Sequence, residues 1–125
     1  MRTKILKTLV GKGKTSVECI GVPLNGSMIF CVMGLQHPHV GAVALGMPRP
    51  SLKNPNKLSA TSSVLTVIGH KEDELVKAFS LRTARKLGLT TLVVAGLHID
   101  KASRQDIKSL EKNAHIALEK LLKSI

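Results

Sequence analysis

The spacing of apolar and polar positions changes once along the chain. Up to about residue 68 the apolar residues come in short, β-branched or alternating runs, and beyond it they recur at helical spacing. Lys4 to Val10, Thr15 to Val22, Met28 to Met33, His39 to Leu45 and Ser63 to Ile68 therefore read as strands. Gly11-Lys12-Gly13-Lys14 separates the first two, and Asn25-Gly26 precedes the third. Residues that tolerate positive φ at these points predict consecutive hairpins. The segment Met47 to Thr61, with Pro48, Pro50 and Pro55, follows neither period and reads as a long loop.

In the last third, Lys71 to Leu87 puts Leu75, Val76, Phe79, Thr83 and Leu87 on one helical face. Acidic Glu72, Asp73 and Glu74 suit its N-terminus, and Gly88 suits the position just past its end. Thr90 to Leu97 is a sixth strand. Ser103, with Asp106 three residues on, is a capping-box pattern that opens a final helix. Its apolar stripe is Ile107, Leu110, Ala114, Leu118, Leu121 and Ile125, with Ile116 expected exposed on the polar face. The strands before and after the first helix should run parallel to each other. The predicted fold class is α+β, a mixed, mostly antiparallel six-stranded sheet in the element order βββββαβα, flanked by two helices. The 125 residues make one domain, 1–125.

The chain carries 19 Lys and Arg against 8 Asp and Glu, a formal net charge of +11. Such an excess concentrates anions, which points to nucleic acid, an anionic membrane or a phosphorylated small molecule as partner. Phe30 and Phe79 are the only aromatic residues besides histidine, and both fall inside apolar patterns. With no rings to spare for base stacking, single-stranded nucleic acid is not the expected ligand class. The basic residues are also spread over several segments, as on an ordinary solvated surface. Apolar runs such as Val40 to Leu45 and Leu92 to Leu97 are far too short to span a bilayer, and Met1 to Val10 lacks the apolar core of a secretory signal, so the expected location is the cytoplasm with no membrane partner. Cys19 and Cys31 lie in strands with no C-x-x-C spacing and read as reduced, buried thiols.

Candidate chemistry gathers at strand ends. His70 and His98 both follow strands that should be parallel, so they share one sheet edge, and an antiparallel fourth strand brings His39 there too. His37, Lys71, Glu72 and Asp100 surround them, beside the free amides of the first helix. These histidines can hold a phosphate, bind a divalent metal through His39, His70 and His98, or simply terminate strands with hydrogen bonds. The small residues of Val40 to Gly46, Gly41 among them, would let a flat ring lie on the fourth strand. Arg49, Ser51, Thr61 and Ser62 offer a cation and hydroxyls for a phosphate. No nucleophile elbow, Walker loop or dinucleotide-binding glycine pattern occurs, so no catalytic residues are expected.

The stretches His39-Val40-Gly41-Ala42-Val43-Ala44-Leu45, Thr61 to Glu72 with its Gly-His-Lys-Glu end, and Val93 to Asp100 with Gly96-Leu97-His98-Ile99-Asp100 resemble the LpdD-like prenylated-flavin chaperones. The resemblance spans roughly Val17 to Leu122. It implies a fold like the proteasome-assembly chaperones, often dimeric, and a non-catalytic protein that holds prenylated FMN made by a UbiX-type prenyltransferase and passes it to a UbiD-type decarboxylase. Carried onto this sequence, it points to His39, His70, Lys71 and His98 as cofactor-binding residues, in a homodimer. A basic nucleic-acid-binding domain and a protein-assembly chaperone module are the alternatives.

Overall fold

The computed structural model describes residues 3–69 and 71–125; the expectations placed on His70 lie outside the described residues. The strands are β1 (Leu6–Val10), β2 (Val17–Pro23), β3 (Ser27–Gly34), β4 (Ala42–Pro50), β5 (Leu58–Thr66) and β6 (Thr90–Gly96), and the helices are α1 (Asp73–Leu87) and α2 (Arg104–Lys123). They form one six-stranded sheet in the order β1-β2-β3-β6-β4-β5, in which only the β3–β6 pair is parallel. The α+β class and the element order are those read from the sequence. The hairpins β1–β2 and β2–β3 form as expected, the second through a turn in which Leu24 N donates to the Ser27 carbonyl and Gly26 takes φ +78°. β5 and β6 do run in the same direction, but β4 lies between them, antiparallel to both.

The long loop expected over Met47 to Thr61 is instead the far half of the β4–β5 hairpin, with only residues 51–57 left outside the strands. The prolines are accommodated in the strand for a definable reason. Ser51 N donates to the Lys57 carbonyl, so odd-numbered residues of β4 bond to β5, while Pro48 and Pro50 face the side where pairing with β6 has already ended at Gly46↔Thr91. A missing N–H costs nothing on that side of the ladder.

Both helices cover one face of the sheet. Val17, Cys19, Phe30, Val32, Ala44, Val93 and Ala95 point from the strands into a core closed by Val76 and Phe79 of α1 and by Leu110, Leu118 and Leu121 of α2. Phe30 and Phe79 are fully buried, each burial contributing roughly 1.5–3 kcal/mol. Buried hydroxyls are paired: Thr83 Oγ1 donates to the Phe79 carbonyl at 2.8 Å and lies 2.8 Å from Thr91 Oγ1. α1 ends at Gly88 in the left-handed region, φ +66°, and α2 starts with the anticipated capping box, Ser103 Oγ accepting from Asp106 N and Asp106 Oδ2 from Ser103 N, both at 3.0 Å. Two stripe positions depart from expectation, since Ile107 and Ile125 at the ends of α2 are half exposed, whereas Ile116, expected exposed, is half-buried on the flank of the stripe. Cys19 is buried, its thiol pushed up to about 12 by desolvation and then by Cys31, which is itself only half-buried; both are free. No helix among the described residues is long and apolar enough to cross a membrane.

Candidate functional site

The ladder registers bring the ends of β3 and β6 and the start of β4 to one edge of the sheet, and α1 and α2 both begin there. The connection after β3 carries His37 and His39, the one after β6 carries His98 and Asp100, and Glu72 caps α1. These side chains meet. His37 Nε2 donates to Asp100 Oδ2 at 2.9 Å and His98 Nε2 to Oδ1 at 3.1 Å, so one carboxylate ties two imidazoles whose centroids are 5.5 Å apart. Asp100 N donates to Gln36 Oε1 at 2.9 Å, which fastens the two loops to each other a second time. The His37 bond, then that of His98, holds the Asp100 carboxyl below the usual carboxylate range.

Deeper in, Glu72 is nearly buried. Its Oε1 accepts from Leu97 N at 3.2 Å and its Oε2 from Lys71 N at 3.1 Å, while His39 Nε2 stands 3.6 Å from Oε1. Backbone donors stabilise a buried carboxylate of this kind. His39 is anchored by Nδ1 donating to the His37 carbonyl at 2.6 Å, and its ring lies edge-on to that of His98 with centroids 6.4 Å apart.

Beside this cluster, between the N-terminal ends of α1 and α2, lies a cavity of about 420 Å³. Leu75, Leu97, Ile99, Ala102, Ile107 and Leu110 make its apolar wall, with Lys71, Glu72, His98 and Glu111 as polar members. A smaller space of about 220 Å³ shares Lys71, Leu75 and Glu111 and extends along the helices toward His115. The larger cavity falls within the roughly 300–1,000 Å³ typical of small-molecule sites, and its mix of mostly apolar wall and few polar groups is the usual one. Farther along, Arg82 and Lys86 of α1 pair with Glu119 of α2.

The predicted site residues divide between two places. His39, Gly41, Lys71 and His98 are at the histidine edge. Arg49, Ser51 and Thr61 are not: Arg49 Nε donates to Thr61 Oγ1 at 2.8 Å near the opposite end of the β4–β5 hairpin, eight residues and so about 26 Å along the strand from Gly41. Ser62 is turned under α1, its hydroxyl 2.7 Å from that of Ser80. One ligand phosphate therefore cannot use both groups. The flat-ring expectation for the fourth strand fails as well. α1 lies directly on it, a side chain at Gly46 would overlap the Ser80 carbonyl, and one at Gly41 would run into Glu72. The small residues admit a helix, not a ligand. Among the described residues no group of three or more His, Cys, Asp or Glu is placed to hold a metal ion, so the divalent-metal expectation gains no support. The cavity wall itself escaped the sequence reading; its signal was the first residue of the α2 stripe, Ile107, set beside Leu75.

The chain matches the family described as prenylated flavin chaperone LpdD-like domain over residues 11–125, nearly its whole length. No curated protein matches it.

Proposed function

Because the chain belongs to the prenylated flavin chaperone LpdD-like family, we propose that it holds prenylated FMN without transforming it, taking the cofactor from a UbiX-type prenyltransferase and handing it to a UbiD-type decarboxylase in the cytoplasm. The observation that carries this reading is the apolar cavity of about 420 Å³ next to the histidine edge, which fits a ring system carrying a phosphate tail. Lys71, exposed at the cavity, supplies the cation that a phosphate needs, and His98, whose Nε2 donates to Asp100, adds a donor through Nδ1 as imidazolium, while plain FMN offers the same phosphate and less apolar surface.

The reading includes a homodimer. The sheet face opposite the helices carries Ile20, Ile29, Met33, Val94, Leu45 and Leu65 beside Lys7, Glu18 and Ser63, Leu65 being 74% exposed. Apolar side chains on an open sheet face are suited to burial against a partner, and a second copy presents the same surface.

Isothermal titration with prenylated FMN, FMN and duplex DNA at moderate salt tests the proposal. Binding of prenylated FMN in the micromolar range or tighter, with weak and salt-sensitive DNA binding, is the expected outcome. Tight DNA binding with neither flavin bound below millimolar concentration would mean that the basic surface serves nucleic acid instead.

A further inference from the structure

Ile107 lies in the first turn of α2 and by spacing heads the apolar stripe that runs on through Leu110, Ala114, Leu118 and Leu121. Those four are buried against the sheet, yet Ile107 is 48% exposed because it overhangs the cavity rather than a strand. Leu75, in the first turn of α1, lines the same cavity from the other helix and is only half-buried. The protein thus keeps two large aliphatic side chains, one on each helix, partly in water around an open space. Covering them with apolar ligand surface gains free energy in proportion to the area removed from water.

Charge fixes which end of a flavin does the covering. Glu72 is nearly buried in the cavity lining and Glu111 stands on the α2 side, so a phosphate dianion is repelled from the interior. Lys71 is exposed at the cavity, and the tail is drawn to its ammonium, while His98 is engaged by the Asp100 carboxylate. The ring end then faces Ile107 and Leu75. On the premise that this cavity is the flavin site, we propose that Ile107, with Leu75 opposite it, is the specificity-determining wall that contacts the prenyl-derived ring and makes the protein prefer prenylated FMN over FMN.

The full-length protein, titrated without oxygen with prenylated FMN and separately with FMN, decides the matter. The wild type is expected to bind prenylated FMN about tenfold or more tightly than FMN, the order expected from burying a few added methylene equivalents. Ile107→Ala, at a half-exposed position, should melt within a few degrees of the wild type and lose most of that preference, its affinity for prenylated FMN falling by more than its affinity for FMN; Leu75→Ala should act in the same direction. Equal affinities for the two flavins in the wild type, or an Ile107→Ala variant that keeps the preference, overturn the inference and leave the holding function standing. Failure of the wild type to bind either flavin removes both.

Discussion

Gly41 packs so closely against the carboxylate of Glu72 that a Cβ at residue 41 would stand 2.5 Å from Oε2. The contact joins the start of β4 to the cap of α1, and because Glu72 also accepts from Leu97 N it reaches the end of β6. Three elements of the histidine edge are thereby held by one buried side chain.

Gly41→Ala should therefore destabilise the protein by about 1–3 kcal/mol, the usual cost of forcing an extra methyl into a packed place. Urea unfolding would register it as a lower midpoint with an unchanged slope. A midpoint equal to that of the wild type would show that Glu72 gives way freely and that the edge is not built around it.

Arg49 and His98 stand at opposite ends of the sheet, so their substitutions should behave differently. His98→Ala is expected to weaken flavin binding by about 1–3 kcal/mol, the range for a lost hydrogen bond to a charged group. Arg49→Ala should leave flavin affinity unchanged, since its bonds go to Thr61 and the Pro50 carbonyl. The reverse result in paired titrations would move the phosphate to the far end of the hairpin.

How much of this was legible in the sequence follows from which interactions are local. The Ser103–Asp106 box, Gly88 as a helix end and the Asn25-Gly26 turn are each fixed within a few residues, and all three were readable. The meeting of His39 with His98 was readable too, because strand direction alone sends both to one edge. What failed depended on neighbours distant in sequence. Pro48 and Pro50 are tolerated in a strand only because β6 stops short, and the glycine at 41 answers to Glu72 rather than to a ring. The cavity needs both helices in place before Leu75 and Ile107 face one space.

Acid should erode the start of α2. The Asp106 carboxyl is held below its usual range, first by the Ser103 N–H and next by Lys14 Nζ, 3.1 Å away. A carboxylate with a depressed folded-state pKa gives stability that is fully present above its unfolded value, about 4, and is lost as pH falls through the lower folded value. Asp106→Asn should consequently lower the melting temperature at pH 7, with the gap to wild type closing below about pH 4. A gap that persists undiminished in acid would assign the loss to something other than the charge.

Leu45 is 38% exposed on the sheet face away from the helices, near the middle of β4. Leu45→Glu places a charge there that is solvated in a monomer and desolvated in a face-to-face pair. Light scattering should give a dimer mass for the wild type and a monomer mass for the variant, with circular dichroism unchanged. A wild type that is monomeric at high concentration would remove the dimer from the account.

The claim that prenylated FMN is held between the N-terminal ends of the two helices is tested most directly by backbone amide NMR of the labelled protein titrated with that cofactor. The account predicts saturable shifts concentrated at Lys71, Leu75, Leu97, His98 and Ile107, with Arg49, Ser51 and Thr61 unmoved. Shifts centred on the far end of the β4–β5 hairpin, or none at any cofactor concentration, would contradict it.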